Sequence, residues 1–199
     1  CWVYDDGCVF GNGSVSDSGQ VHANGWVYGH GCVYDHGSVS DHGWVCDNGH
    51  VFENGRVRGD GRIFESGSVR GNGCVCDDGI VAGNGRIDGD GCVTDNGHVY
   101  DHGYVTDNGC VSGDGYIYGN GCVSGNAHVS GNGEISGHGF IKKDEDYAIV
   151  QGFGTEHRST TFFRCKDGRV RVQCGCFYGT INQFRKQVKK TREGKIAKE

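Results

Sequence analysis

Cysteine and histidine are the residues of this chain with the most evident capacity for chemistry: it has 12 Cys and 10 His among 199 residues. Thiolate and imidazole groups are the ligands that zinc prefers in proteins. Cys74, Cys92 and Cys110 recur at a constant interval, and Cys76 lies beside the first of them. An evenly spaced line of thiols does not converge on one ion, so we interpret these cysteines as small apolar side chains and predict no metal site.

The histidines show a similar regularity. His30, His36 and His42 follow one another at intervals of six, each in an Asp-His or Gly-His pair before a glycine. Such pairs are typical of tight turns, where polar side chains hydrogen-bond the local backbone. We therefore predict that these histidines occupy turns and that the chain has no metal and no cofactor. Neighbouring parallel cysteines would also point the wrong way for a relaxed disulfide bond, which favours free thiols and a reducing compartment.

Both regularities come from one repeat that covers most of the chain. From Trp2 to Gly139 the sequence consists of 23 hexads of the form x-Val-x-[Asp/Gly]-[Asn/Asp/His/Ser]-Gly. Val or Ile fills the second place of every hexad, and Gly fills the sixth place except at Ala127. A strict short period of this kind is the signature of a solenoid.

The pattern inside one hexad predicts a short strand followed by a corner. Side chains alternate across a strand, so the Val points inward and its two neighbours point outward. The polar pair and the glycine then form a turn. Three such sides, one hexad each, close a coil, and coils stack about 4.8 Å apart through parallel strand pairing. The sequence thus predicts a mainly β fold, a three-sided parallel β-helix of nearly eight coils.

The hexads resemble the left-handed β-helix of the hexapeptide-repeat superfamily, whose founding members are trimeric acyltransferases. The resemblance extends over residues 2–141. The run Cys122–Asn132, which contains Val123-Ser124-Gly125-Asn126-Ala127, is similar to the Val-x-Gly-Asn-Ala runs of phage and prophage proteins. This resemblance implies a left-handed coil and a homotrimer. It also implies an enzymatic alternative, because the acyltransferases place a catalytic His from a loop excursion beside the next subunit.

No hexad between Trp2 and Gly139 is interrupted, so no inserted loop is available to wall a cleft. We therefore predict no catalytic residues and a non-enzymatic protein. An acyltransferase with its site between subunits stays open as the alternative. Some hexapeptide-repeat carbonic anhydrases bind zinc with histidines from two subunits, but Asp-His corners spaced by six are explained more simply as turns.

The period of three hexads assigns every outward side chain to one of three sides. One side is rich in aromatic residues, one contains the column of cysteines, and one is mixed. An extended apolar strip on a protein surface usually marks an interface, although such a ladder can also consist simply of good strand formers that contact one another. We predict that the aromatic side is an interface, and its candidate residues are Phe10, Trp26, Tyr28, Trp44, Phe64, Tyr100, Tyr116 and Tyr118.

The repeat stops at Phe140-Ile141, and residues 142–199 are predicted to form a small basic α+β unit that covers the last coil. The predicted strands are Tyr147–Gln151, Thr160–Cys165 and Val170–Cys174, with a hairpin turn at Lys166-Asp167-Gly168. Thr180 is predicted to cap a helix that extends to about Arg192, with Ile181, Phe184 and Val188 on its inner face.

Three cysteines in this second unit allow two interpretations. Cys165, Cys174 and Cys176 form a weak metal signal without a fourth ligand. The simpler interpretation of Cys174-Gly175-Cys176 is a tight turn with buried thiols. The surrounding run Cys-Gly-Cys-Phe-Tyr-Gly resembles a small domain associated with phage-encoded proteins, for which the resemblance implies no defined function.

Charge divides between the two parts. Residues 1–141 hold 5 Arg and 18 acidic residues, a net charge of −13, whereas residues 142–199 hold 14 basic and 7 acidic residues, a net charge of +7. Clustered basic residues can contact phosphates, so nucleic-acid binding by the second unit is an alternative function. Its candidate contacts are Arg169, Arg171, Arg185, Lys186, Lys189 and Lys190.

These observations favour a structural or interaction protein of phage or prophage type. We expect an acidic β-prism that associates with itself, as a homotrimer, and presents a surface to a protein partner such as a host factor or a virion component. No apolar run approaches the roughly 20 residues that a membrane span requires. We therefore expect a soluble protein without membrane contact, located in the cytoplasm of a bacterial host or in a virion.

Overall fold

The computed structural model describes residues 1–153 and 158–196. Its first 141 residues form a solenoid of 24 two-residue strands, β1 to β24, which begin six residues apart from Trp2–Val3 (β1) and Cys8–Val9 (β2) to Phe140–Ile141 (β24). The last of these strands completes the eighth coil, so the repeat extends one strand beyond the 23 predicted hexads.

Every third strand belongs to the same sheet, so the coil has three sides of eight parallel strands each. Paired residues are three hexads apart throughout, as in Val3↔Val21 and Val123↔Ile141. We name the sides by their outward residues: the cysteine side (β1, β4 and every third strand to β22), the aromatic side (β2 to β23) and the mixed side (β3 to β24). The predicted three-sided parallel β-helix is confirmed.

The interior is a stack of aliphatic side chains. Every second-place Val or Ile from Val21 to Ile141 is 0 % exposed, as is Ala127. The sixth-place glycines allow the coils to approach closely. A Cβ atom at Gly7 would lie 2.5 Å from the carbonyl oxygen of Val21 in the next coil, and one at Gly13 would lie 2.6 Å from that of Val27. Glycine is therefore required where the turn passes beneath the next strand.

Polar groups at each corner form hydrogen bonds with the same corner of the adjacent coil. The first corner place has a positive φ, for example 53° at Asp101, which explains why Asp and Gly prevail there. Several of these carboxylates accept a hydrogen bond from the backbone N–H of the next coil, as Glu65 does from Gly83 at 2.6 Å. Side chains at the second corner place form ladders between coils. For example, the Asn72 amide donates to the Asp90 carboxylate at 2.9 Å.

A small antiparallel sheet and one helix follow the solenoid. After a 3₁₀ turn at Asp144–Asp146, the strands are β25 (Tyr147–Phe153), β26 (Arg158–Arg164), β27 (Val170–Cys174) and β28 (Phe177–Thr180), paired in that order, and the helix α1 spans Ile181–Ile196. The predicted α+β unit is confirmed. Strand β28 was not predicted, and the helix extends beyond Arg192.

The start of α1 is a capping box. The Thr180 hydroxyl accepts from the N–H of Gln183 at 3.3 Å, and the Gln183 side chain accepts from the N–H of Thr180 at 2.8 Å. Phe184 is buried and packs against Phe162 and Phe177. The prediction that Ile181 lies on the inner face is wrong: this residue, the first of the helix, is 37 % exposed.

The face of the small sheet opposite α1 covers the final coil of the solenoid. Phe163 is 1 % exposed and belongs to the same apolar core as Ile141. Backbone N–H groups on the free edge of the last strands are hydrogen-bonded by side chains of the small sheet. The N–H of Glu134 donates to the Thr161 hydroxyl at 3.0 Å, and the N–H of Ser130 donates to the Tyr147 hydroxyl at 3.2 Å. Polar groups that would otherwise lie unpaired at the end of the solenoid are therefore satisfied.

Candidate interaction surfaces

Stacked rings on the aromatic side follow directly from the register. Side chains three hexads apart stand above one another, so Trp26 and Trp44 stack at 5.8 Å and Phe10 and Tyr28 at 5.1 Å between ring centroids. Phe10, Trp26 and Trp44 are 45 %, 41 % and 37 % exposed. These four rings form one patch across the first three coils, which we call the aromatic patch.

The predicted aromatic strip is not continuous. The Arg62 guanidinium lies over the Trp44 ring at 5.3 Å and marks the end of the aromatic patch. In the coil after that of Arg62, Ala82 is buried. After Phe64 in the coil of Arg62, the next ring among the candidates is that of Tyr100, whose hydroxyl lies 3.0 Å from Nδ1 of His98. The remaining candidates differ in exposure: Tyr116 is exposed, whereas Phe64, Tyr100 and Tyr118 are half-buried. Seven of the eight predicted interface residues thus form two groups, one in the first three coils and one from Tyr100 to Tyr118, and Phe64 lies between them in the coil of Arg62.

Burial and local hydrogen bonds shift the acidity of several groups on this side. A hydrogen bond with Cys46, together with burial, raises the pKa of Tyr28 to about 12. Burial lowers the pKa of His98, so this imidazole is less readily protonated than an exposed one. The aromatic side is therefore uncharged in these places, which suits contact with another apolar surface.

The cysteine side is a ladder, as its spacing predicts. Cys74 pairs with Cys92, and Cys92 with Cys110, across adjacent strands. Hydrogen bonding to Cys110 raises the pKa of Cys92 to about 12, and the corresponding bond to Cys92, with burial, raises the pKa of Cys74. Within residues 1–153 and 158–196, no three His, Cys, Asp or Glu side chains are grouped so that they could hold a metal ion, and all 12 cysteines are free thiols.

The three consecutive histidines lie at different corners of the prism. His30 follows a strand of the aromatic side, His36 one of the mixed side and His42 one of the cysteine side. Each donates its backbone N–H to the next coil, for example His30 to the carbonyl of Asp47 at 2.7 Å. Their role in the described structure is that of corner residues.

The mixed side contains a feature that sequence reasoning missed. Tyr34 and Phe52 stack at 4.9 Å, and beyond them a shallow groove of about 660 Å³ extends as far as Tyr104. The residues before each Val form a mixed set along this side. The residues after each Val could have indicated the groove. In successive coils they are Tyr34, Phe52, and then Arg70 and Asp88, which form an ion pair.

The candidate phosphate contacts differ in availability. Arg185, Lys186, Lys189 and Lys190 are exposed on α1, and Arg169 is exposed in the turn before β27. In contrast, the Arg171 guanidinium donates to the carboxylate of Asp167 at 3.2 Å and is half-buried. The exposed cations therefore lie mainly on the helix, which is the layer farthest from the solenoid.

The three cysteines of the small unit do not share one environment. Gly175 and Cys176 form the tight turn between β27 and β28, with φ of 55° at Gly175. Cys165 is buried and Cys174 accepts from the Thr160 hydroxyl at 3.0 Å, but Cys176 is exposed. The predicted tight turn is confirmed, whereas the burial expected for Cys176 is wrong, because its side chain projects from the tip of the hairpin.

No known protein family, curated protein sequence or solved structure matches this chain. Within the residues that the structure describes, no helix is both long enough and apolar enough to cross a membrane. Function must therefore be inferred from the surfaces themselves.

Proposed function

We propose that this chain is a non-catalytic interaction protein that associates with copies of itself through the aromatic patch and presents its remaining surface to a protein partner. The observation that carries the proposal is the exposure of Phe10, Trp26 and Trp44, three large rings in mutual contact on adjacent coils that are each more than a third exposed. Rings of this size dominate interface energetics when a second surface covers them.

The geometry of the prism supports association with like copies. A straight parallel ladder presents its rings at one regular spacing, so the same side of a second copy offers a matching series. Three copies arranged about one axis would bury the three aromatic sides together. The acidic corners would then remain outside, where the solenoid's 18 acidic and 5 basic residues keep the assembly from further non-specific association.

The finer identity of the protein belongs to the same proposal. The Cys122–Asn132 run and the Cys174–Gly179 run resemble phage and prophage proteins. They favour a phage-type accessory protein, either a virion component or a protein that engages a bacterial host factor in the cytoplasm. The acidic prism would suit a basic partner surface.

Sedimentation analysis tests the self-association. We expect the intact chain to sediment as an oligomer, with a trimer as the expected state, and the double variant Trp26→Glu/Trp44→Glu to sediment as a monomer, because two carboxylates would be buried against apolar rings. Ser38→Glu on the cysteine side is the matched control and should leave the oligomer intact. A monomeric intact chain, or an oligomer that the double variant does not disturb, would contradict the proposal.

Nucleic-acid binding by the small unit is the second candidate. It is favoured by the exposure of Arg185, Lys186, Lys189 and Lys190 on one helix that faces away from the acidic solenoid. Binding of a labelled 20-mer DNA duplex should weaken steeply with added salt. Lys186→Glu/Lys189→Glu should abolish it, and the absence of any gel shift at low salt would rule it out.

The acyltransferase alternative gains no specific support from the described solenoid. Strands recur every six residues from Trp2 to Ile141 without an inserted loop. The groove on its mixed side is shallow and open to solvent. We therefore retain the interaction protein as the proposal.

A further inference from the structure

The groove on the mixed side is formed by a local change in the size of the outward side chains. Ser68 pairs with His50 on one neighbouring strand and with Arg86 on the other, so a small residue lies between two long ones. Arg70, which would otherwise extend across this space, is held by the carboxylate of Asp88. The Tyr104 hydroxyl donates to the same carboxylate at 3.0 Å.

Aromatic rings stand at both ends of this depression. Phe52, stacked on Tyr34 at an interplanar angle of 7°, lies at one end and Tyr104 at the other. Both are only half-buried, so ring surface remains accessible. The floor and the side wall between them are polar, and they consist of His50, Ser66, Ser68, Asn84, Arg86 and His102.

These polar groups are available to a ligand. Arg86 and Asn84 are exposed, and neither side chain has a hydrogen bond or ion pair within the described ranges. Nδ1 of His50 has no hydrogen-bond partner there either, but it is buried, so the accessible imidazole of the groove is that of His102. A guanidinium, an amide, hydroxyls and an imidazole supply both donors and acceptors over a short distance. Together with flanking rings, they match the alternating hydroxyl edges and apolar C–H faces of a sugar ring.

Charge decides between a carbohydrate and a polyanion. The solenoid has a net charge of −13 from its 18 acidic residues and 5 arginines. Asp88 lies beside the groove, and its charge is already matched by Arg70. The negative charge of the solenoid would repel a nucleic acid or an acidic polymer. Among the groove residues that the structure describes, Arg86 is the one cationic side chain without an ion-pair partner that could bind such a ligand. A neutral ligand does not meet this repulsion.

We propose that the groove between Phe52 and Tyr104 is a binding site for a neutral oligosaccharide. The rings of Phe52 and Tyr104 contact the apolar faces of terminal sugar units. Arg86, Asn84 and the Ser68 hydroxyl hydrogen-bond the hydroxyl groups between them. Phe52, Ser68, Arg86 and Tyr104 lie on the mixed side, and the aromatic patch lies on another side in the first three coils, so contact through the patch leaves these residues accessible.

Binding to an array of immobilised oligosaccharides tests the assignment. The array contains neutral gluco-, galacto-, manno- and N-acetylglucosamine oligosaccharides, together with uronic-acid and sulfated ones, and a thymidine decamer is included. We expect the intact chain to retain neutral oligosaccharides. Calorimetry with the best-retained neutral trisaccharide should give affinities about tenfold or more weaker for Arg86→Ala and no measurable binding for Ser68→Tyr, which fills the groove.

Two substitutions on the cysteine side serve as matched controls. Arg56→Ala and Ser38→Tyr change the same place of the hexad as Arg86→Ala and Ser68→Tyr and should leave trisaccharide binding unchanged. Gel filtration and circular dichroism confirm that each variant is folded.

Three results would overturn the proposal: no retention of any neutral oligosaccharide, retention that Ser68→Tyr does not reduce, or preferential retention of the acidic oligosaccharides or the decamer. The Trp26→Glu/Trp44→Glu variant separates this proposal from self-association, because it should lose the oligomer and still bind the trisaccharide.

Discussion

At the scale of single residues, the corner positions show how strongly backbone conformation selects side chains. Asp101 has a φ of 53°, and its carboxylate accepts from the N–H of Gly119 at 3.3 Å. Asp, Asn and Gly reach this conformation at low cost, whereas a β-branched residue does not.

Substitution at Asp101 should therefore separate conformational strain from the loss of charge. We expect Asp101→Asn to change the free energy of unfolding by less than about 0.5 kcal/mol and Asp101→Val to lower it by about 1–2 kcal/mol. Urea denaturation followed by circular dichroism measures both values. Equal stability of the two variants would contradict the argument from positive φ.

Thiol reactivity should distinguish the ladder cysteines from the exposed ones. The nucleophile in alkylation is the thiolate, and a hydrogen bond to Cys110 raises the pKa of Cys92 to about 12. At pH 8 we expect iodoacetamide to modify the exposed Cys176 first and Cys92 at least about tenfold more slowly. Peptide mass spectrometry over time measures the order.

Unfolding the chain in guanidinium provides the control for this experiment. The two thiols should then react at similar rates, because their different environments are lost. If Cys92 reacted as fast as Cys176 in the folded protein, the raised pKa of the ladder thiol would be wrong.

At the scale of elements, the joint between the solenoid and the small sheet depends on one carboxylate. Asp146 accepts from the backbone N–H of Lys142 at 3.1 Å and from Nε of Arg164 at 2.8 Å. Burial by itself would raise the pKa of Asp146, but these hydrogen bonds outweigh it and hold the pKa below its ordinary value. The carboxylate thus ties strand β26 to the end of the last coil.

This lowered pKa predicts a loss of stability in acid. A carboxyl whose pKa is depressed by folding contributes stability above its unfolded pKa of about 3.9, and this stability disappears as the pH falls through the folded pKa. Asp146→Asn should cost about 1–2 kcal/mol at pH 7 and less at pH 3. Amide hydrogen exchange of β25 to β28 measures the effect, with Asp60→Asn at an exposed corner as the control. An equal cost at both pH values would refute it.

The solenoid was predictable from the sequence because every hexad forms the same short strand and the same corner. A second-place Val, a corner residue that tolerates positive φ and a sixth-place glycine each have one physical role, and the period alone then determines the register. The small unit has no such repetition. Strand β28 was missed because Phe177–Thr180 is short and runs directly into the capping box of α1.

The surfaces were less predictable than the fold for a different reason. Residues that form a groove or a patch are grouped by side-chain length and by pairing across coils. The groove between Phe52 and Tyr104 depends on Ser68 being short and on Arg70 turning towards Asp88. The interruption of the aromatic strip likewise depends on Arg62 lying over Trp44. Neither arrangement follows from hydrophobic periodicity.

At the scale of the whole molecule, an acidic solenoid ends in a sheet that covers its last coil, with a basic helix outermost. This order has a physical consequence for assembly. Parallel strands leave unpaired N–H and C=O groups at each end of a solenoid, and such edges recruit other chains. Here the N–H groups of His128 and Glu134 are paired with Asp144 and Thr161 of the small unit.

Removal of residues 142–199 should therefore convert a closed end into an associating one. In the Trp26→Glu/Trp44→Glu background, which removes the proposed lateral contact, we expect the truncated chain to show light scattering that rises with protein concentration. Phe163→Ala should act more weakly: it removes a ring that is 1 % exposed and costs about 3–5 kcal/mol, but it leaves the hydrogen bonds of the small sheet in place. If the truncated chain remained monodisperse at every concentration, the small unit would not be required to protect the end of the solenoid.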